Sequence, residues 1–198
     1  MNSPSIEPTL TGRLRLALQA NLPLPAEPGP PLLQAAADVP TAPALLAHAH
    51  AGTRARQDAQ LLYTRCLRHF RQQVQDGSDL DDAALAAAYF VLTSLAAARG
   101  LIPGAEDLLR VEHQMRHGLA EGGVWLQAPL AERQNAFEQF ALLGVLVSES
   151  AWAARGQGAA ARANVQRAAR GYLTQLLGPG AERLSLSPQG LTLERAAA

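Results

Sequence analysis

The sequence contains no lysine; all 17 of its basic residues are arginine. Codon bias in a GC-rich genome is the simplest explanation. The absence excludes enzymes that form a Schiff base on a lysine, and it excludes the phosphate-binding loop that needs one. Cys66 is the only cysteine, so an internal disulfide and a thiolate metal cluster are excluded as well. A single cysteine also fits a reducing compartment.

Long hydrophobic runs and an excess of charge are missing too. The apolar run Phe140–Val147 has eight residues, whereas a membrane-spanning helix needs roughly 20. The formal net charge is zero, so the chain as a whole is not drawn to nucleic acid or anionic membranes. Residues 1–8 lack the positive and apolar regions of a secretory signal. We therefore expect a cytoplasmic protein, or a periplasmic one if a signal has been removed.

Alanine is frequent, β-branched runs are rare, and aromatic residues make up only 5% of the chain. Because alanine is the best helix former, this composition predicts an all-α protein. We expect a compact bundle of about five helices in residues 53–198, preceded by a Pro-rich arm in residues 1–52. A short helix could form around Leu14–Leu18. Leu32 and Leu46 indicate that the arm lies across the bundle.

Five segments repeat apolar residues at three- and four-residue steps, which is typical of helices with one buried face. The tail Leu184–Leu193 alternates leucine with hydroxyl residues around a Pro-Gln-Gly turn, and this predicts a short hairpin or an extended strap docked on the bundle. The five predicted helices are Arg54–Gln75, Asp82–Arg99, Ala105–Ala120, Leu130–Arg155 and Ala159–Leu177.

The fourth of these helices is expected to form the centre of the bundle. Its apolar positions begin at Leu130, with Arg133 and Glu138 falling between them, and Phe140–Val147 is apolar on every side. Gly144 costs about 1 kcal/mol relative to alanine within a helix. It shares a small-residue strip with Ala141, Ser148 and Ala151, which would let another helix, or a second subunit, approach closely.

Two adjacent acid pairs are candidates for acid–base catalysis, namely Asp81-Asp82 and Glu106-Asp107. Adjacent residues on a helix do not face one another, and both pairs stand at helix starts. There they would stabilise the helix dipole or cap the helix, with Ser78, Asp79 and Asp81 as the cap candidates for the second helix. Capping is the preferred interpretation.

His113 and His117 form the best metal candidate, because residues four apart on a helix can chelate one ion. A zinc hydrolase motif needs a glutamate directly after the first histidine, and Gln114 stands there. Both histidines fall on the outer face relative to Met115, so solvated surface histidines are favoured. His48 and His50 have no companion ligand in sequence and are read in the same way.

A nucleophile is not indicated either. Ser148 and Ser150 lie within a helix and lack the Gly-x-Ser-x-Gly elbow that exposes a catalytic serine. Cys66 shares one helical face with Leu62 and Phe70, so it is interpreted as a small buried apolar residue.

Arginines are unevenly distributed over the predicted outer faces. No acidic residue lies between Glu149 and Glu182. Because arginine favours bidentate contacts with carboxylates and phosphates, a partner with an acidic surface would suit these faces, although plain solvation would explain them too. Nucleic acid is not expected, since the few aromatic residues fall at core spacing. The candidate partner face comprises Arg65, Arg68, Arg71, Arg162 and Arg167.

The C-terminal half carries a resemblance. A long apolar helix is followed by the Ala/Arg-rich segment 167–173, a stop at Gly178 and the tail segment 186–191. This arrangement resembles a family of small, mostly helical proteobacterial proteins of unknown function, over about residues 56–193. The resemblance implies a helical fold, and export for many members, but it assigns no functional residue.

We therefore expect a non-enzymatic bacterial protein that acts by protein–protein contact, as an immunity, chaperone or accessory protein. This expectation rests on association at the level of the fold. It includes no cofactor and leaves a homo-oligomer open. One alternative is a metal-binding protein or hydrolase that uses His113 and His117. Another is a small-ligand sensor with an apolar pocket between the bundle and the loop around Trp125.

Overall fold

The computed structural model describes residues 29–37, 39–75, 80–120 and 123–193. These residues form a helical bundle with two small two-stranded antiparallel sheets, which confirms the predicted fold class. The helices are α1 (Ala42–Ala47), α2 (Thr53–His69), α3 (Ala83–Arg99), α4 (Ala105–Ala120), α5 (Val124–Gln127), α6 (Leu130–Ala154) and α7 (Ala159–Leu177). The strands are β1 (Leu33–Ala35), β2 (Leu80–Asp82), β3 (Leu184–Ser187) and β4 (Gly190–Leu193).

Helices α3 and α6 pack against each other along the middle of the bundle, and α3 also contacts α4 and α7. The close approach predicted at the small-residue strip is confirmed. A Cβ on Gly144 of α6 would lie 2.7 Å from Tyr89 Cδ1 and 3.2 Å from Phe90 Cα of α3. Beside this contact, the rings of Phe90 and Phe140 stack with centroids 5.8 Å apart.

The start of α6 differs from the prediction. Leu130 was expected on the buried face, but 59% of its surface is exposed. Glu138, which was expected between the apolar positions, is completely buried. Phe137 and Phe140 are buried as predicted. The buried face of α6 therefore contains the expected aromatic residues and, in addition, the Glu138 carboxylate.

Helix α3 begins and ends as the sequence suggests, but its cap is Asp82. The Asp82 carboxylate accepts hydrogen bonds from the backbone N–H groups of Ala84 and Leu85 at 2.9 and 3.2 Å. Asp81, a predicted cap, points elsewhere, and residues 76–79 lie outside the described part of the chain. Gly100 ends the helix with φ of 71°, a left-handed conformation that glycine adopts without strain.

Helix α2 ends earlier than predicted. Its α-helical part stops at His69, and a π-helical turn covers Phe70–Val74. The completely buried Phe70 ring meets Tyr89 and Phe137 edge-on, with centroids 5.7 and 5.9 Å away. This aromatic cluster fixes α2 against α3 and α6.

Part of the predicted arm packs on the bundle. Strand β1 pairs with β2 in antiparallel register, with Leu33 opposite Asp82, and Leu32 is buried in the core. Neither strand was predicted. The proposed boundary after residue 52 stays a prediction, and the helix expected around Leu14–Leu18 lies outside the described residues.

The predicted C-terminal hairpin is present and is hydrogen-bonded to α4. Gln114 is buried, and its amide donates to the Leu191 carbonyl at 3.0 Å and accepts from the Leu191 N–H at 2.7 Å. The glutamine side chain therefore pairs with β4 much as a neighbouring strand would. Gly190 is required at this point, because its φ is 97° and a Cβ would overlap with Gln114 Oε1.

Among the described helices, none is both long enough and apolar enough to cross a membrane.

Candidate functional site

A surface groove of about 650 Å³ opens among four helical segments. It is bounded by the C-terminal half of α3, the loop 100–104 with the start of α4, the end of α6, and the first half of α7. Its volume falls within the range of about 300–1,000 Å³ that is typical of binding pockets.

The groove exists because the helices that surround it carry very short side chains. Ala96 and Ala97 of α3, Ala105 of α4 and Ala151 of α6 all line it. An alanine side chain ends at Cβ, so the space between the helices stays unfilled. The small-residue strip of α6 therefore has two roles: Gly144 packs against α3, whereas Ser148 and Ala151 face the groove.

Two large apolar side chains of the groove lining stand mostly in solvent. Trp152 is 70% exposed and Ile102 is 89% exposed, and Leu101 beside it is also exposed. Several exposed large apolar side chains at one groove indicate an interaction site more strongly than an isolated exposed leucine does.

The charged side chains among the described lining residues of the groove are two arginines, while Asp107 and Glu149 act on the lining residues Gly104 and Tyr89 from beside it. Arg155 follows the last turn of α6, Arg162 lies near the start of α7, and both are exposed groove residues. Among the described residues that line the groove there is no aspartate, glutamate or histidine. A ligand or partner group of negative charge is therefore the complementary one.

Two hydroxyl groups lie among the apolar side chains. The side chains of Tyr89 and Ser148 both line the groove. Burial raises the pKa of Tyr89, the Ser148 hydroxyl acts to lower it, and the Glu149 carboxylate acts to raise it. A tyrosine is protonated at neutral pH even without such shifts, so Tyr89 can donate a hydrogen bond.

The predicted arginine face divides into separate parts. Arg65 and Arg68 are exposed on α2, and Arg167 is exposed on α7. Arg162 lies at the groove. Arg71 is only partly exposed, and its guanidinium makes two hydrogen bonds to the buried Asp81 carboxylate at 2.9 and 2.7 Å.

That ion pair belongs to a buried polar network that the sequence analysis missed. Gln134 donates to Glu138 at 2.7 Å and to Asp81 at 3.4 Å, and it accepts from Gln34 of β1 at 3.2 Å. The groups bond to one another and do not line the groove. A buried carboxylate needs such partners, so the network is read as structural.

Glu138 also holds the N-terminal segment in place. One of its carboxylate oxygens accepts hydrogen bonds from the backbone N–H groups of Thr41 and Ala42, each at 2.8 Å. These are unpaired donors at the start of α1, where a negative charge is favourable. Glu138 therefore caps a helix that lies 96 residues earlier in the chain.

The two histidines of the metal candidate remain on the outer side of α4, where His117 is exposed and His113 is partly exposed. In the described ranges, no group of three His, Cys, Asp or Glu side chains is placed to hold a metal ion.

The neighbouring Arg116 bonds to Asp82 at 3.0 Å and also to Glu112. Burial raises the pKa of Glu112, which Arg116 partly offsets.

Cys66 is buried, as predicted. Burial raises the pKa of its thiol, and the Glu149 carboxylate acts in the same direction. A reactive thiolate needs the opposite environment, with positive charge and access to solvent. The interpretation of Cys66 as a small apolar core residue is therefore supported.

The resemblance found in the sequence is confirmed by comparison with known families. A model described as a family of unknown function (DUF6683) matches residues 33–194. The chain belongs to this family. No curated protein and no solved structure matches the chain. In this DUF6683 protein, the family match begins at β1 and ends just after β4, so it includes the hairpin and all four segments of the groove.

Proposed function

We propose that this protein acts without catalysis, by binding another protein at the groove, in the manner of an immunity, chaperone or accessory protein. The observation that carries the proposal is Trp152, a large apolar side chain that is 70% exposed beside an apolar cavity. Tryptophan and arginine are enriched among the residues that contribute most to protein–protein binding. The groove presents Trp152 next to Arg155 and Arg162.

A protein partner fits these residues better than a small molecule does. Pockets for small molecules enclose most of the ligand surface, and their apolar walls are covered when the ligand binds. Here Ile102 and Trp152 stand so far out in solvent that a molecule filling the 650 Å³ space would leave much of them wet. A surface larger than the cavity is needed to cover them.

A small-ligand sensor is the second candidate, because the cavity volume and the Tyr89–Ser148 hydroxyl pair suit a small amphipathic molecule. The sequence placed such a pocket beside Trp125. That side chain is only 1% exposed and is not part of the groove lining. A ligand of this kind would bind near Trp152 instead.

The proposal is tested by affinity purification from the native host with the wild-type protein and two variants. Trp152→Ala removes the exposed ring from the groove. Leu61→Ala is the matched control, because Leu61 is an exposed apolar residue of α2 outside the groove. We expect a partner, identified by mass spectrometry, that is recovered with wild type and Leu61→Ala and reduced at least tenfold with Trp152→Ala.

Equal recovery of every bound protein with all three forms would refute the groove as the contact surface. A partner lost with Arg65→Ala/Arg68→Ala but retained with Trp152→Ala would move the contact to the arginines of α2. Thermal stabilisation by a host small-molecule extract, abolished by Trp152→Ala without any protein partner, would favour the sensor.

A further inference from the structure

We propose that the segment the groove accepts is an amphipathic α-helix of the partner protein, about three turns long, with acidic residues beside its apolar face. This inference rests on the proposed function, since it names the chemistry of the occupant of the same groove. It is argued from the length of the groove, its small side chains and its charge.

The dimensions of the groove match a helix. Along α3 its lining residues run from Tyr89 to Gly100, which at about 1.5 Å per residue spans about 16 Å. A helix of three turns covers the same length. The end of α6 contributes Ser148, Ala151, Trp152 and Ala154, and Arg155 follows directly, so one wall is the last two turns of a helix.

Small side chains allow such a helix to lie close to the bundle. Ala96, Ala97 and Ala151 line the groove with side chains that end at Cβ, while Trp152 and Ile102 are lining residues that are mostly exposed. Binding of an amphipathic helix in an apolar groove is a recurring mode of recognition, with anchors at three- and four-residue spacing. Trp152 and Ile102 would contact the bound helix through their exposed apolar surface.

The charge decides which helix fits. Arg155 and Arg162 line the groove, none of its described lining residues is acidic, and the sequence from residue 150 to residue 181 has no aspartate or glutamate. Flanking glutamates or aspartates on the partner helix would pair with the two guanidinium groups.

The chain's own N-terminal segment is a poorer occupant by the same criterion. Arg13 and Arg15 lie among the leucines of residues 9–26, whereas the two acids of this segment, Glu7 and Glu27, lie outside that stretch. Placing residues 9–26 beside Arg155 and Arg162 would bring like charges together. An acidic helix from another protein avoids this repulsion.

The test is selection from a phage-displayed library of 14-residue helical peptides with fixed apolar anchors. The flanking positions vary among Glu, Lys, Gln and Ala. The full-length wild-type protein is compared with Arg155→Glu/Arg162→Glu. The matched control is Arg65→Glu/Arg68→Glu, which reverses two exposed arginines on α2, outside the groove.

We expect wild type and the α2 control to select Glu at the flanking positions, and the groove variant to select Lys. For a selected peptide, exchange of its two flanking Glu for Lys should weaken binding to wild type by about fivefold to tenfold, a range typical of two exposed ion pairs. The same exchange should strengthen binding to Arg155→Glu/Arg162→Glu.

The possible failures are distinguishable. Peptides that need Trp152 but show no preference for acid would overturn the acidic helix and leave the groove as the contact surface. A host partner that depends on Trp152, with no helical peptide selected, would overturn the helical occupant alone. A dimer in sedimentation that Trp152→Ala dissociates would assign the groove to a second copy of the chain and also refute the inference. Selection unaffected by Trp152→Ala would refute the proposed function itself.

Discussion

Replacing Gly144 with alanine is expected to destabilise the protein, although alanine is the better helix former. At an exposed position within a helix, replacing glycine with alanine stabilises the folded protein by about 1 kcal/mol. At Gly144 the new Cβ would lie 2.7 Å from Tyr89 Cδ1 and 3.3 Å from the backbone nitrogen of Phe90. The tyrosine ring can turn aside, but the Phe90 backbone can move only if α3 and α6 separate.

The magnitude follows from these distances. Carbon atoms pack best at about 3.5–4.0 Å, so relief of the 2.7 Å contact requires a shift of roughly 1 Å. Overpacking of this kind typically costs about 1–3 kcal/mol. After the gain of about 1 kcal/mol in helix propensity is subtracted, we expect a net loss of up to about 2 kcal/mol, which lowers the melting temperature by up to about 4–8 °C.

The assay is urea denaturation followed by circular dichroism, with Gly171→Ala as the control. Gly171 is exposed on α7, and a Cβ there would meet no atom within 4 Å. This variant should therefore be more stable than wild type, by about 0.5–1 kcal/mol. The two substitutions are chemically identical, so opposite signs isolate the helix contact. If Gly144→Ala is stabilised as much as Gly171→Ala, the close packing of α3 on α6 is refuted.

Three further outcomes are expected. Glu138→Gln should lower the free energy of unfolding by about 1–3 kcal/mol and speed hydrogen exchange in residues 32–47, because a buried carboxylate that accepts from two backbone N–H groups is lost. Unchanged exchange in these residues would contradict the capping role of Glu138. Gln114→Ala removes both hydrogen bonds to Leu191, so residues 184–193 should become sensitive to limited proteolysis. The far-ultraviolet circular dichroism signal of the helices should not change. Cys66 should resist alkylation at pH 8 until the protein is unfolded, since its raised pKa keeps thiolate scarce; rapid labelling of the native protein would refute this.

Most helix bounds could be predicted from residues close to each helix end. The predicted bounds of α4 and α7 agree with the structure, and those of α3 differ by one residue. These helices end at glycines or prolines, whose backbone preferences act within a few residues of chain. The end of α2 was misplaced because the π-helical turn at Phe70–Val74 keeps a helical pattern while changing the hydrogen bonding.

Buried polar residues could not be predicted in the same way. A periodicity argument places charged residues outside, and the buried Asp81 and Glu138 violate it because they have partners in distant parts of the chain. Gln114 is a similar case, since it bonds to a strand 77 residues away. Only the fold brings these groups together.

The groove could not be predicted from the sequence either. Its walls come from four elements, and the exposure of Trp152 depends on what its neighbours leave uncovered. A tryptophan in a loop at Trp125 was the more obvious candidate, but that ring belongs to the core. One available signal was the alanine content of α3 and α6 beside Arg155, which predicts room around a charged helix end.

Amide chemical-shift mapping tests the groove most directly. Isotope-labelled protein would be titrated with the partner found by affinity purification, or with a selected acidic peptide. We expect the largest shifts at Ile102, Trp152, Arg155 and Arg162, and in the side-chain N–H signal of Trp152 but not that of Trp125. Shifts confined to Arg65 and Arg68 on α2, with the Trp152 signal unmoved, would contradict the groove as the binding surface.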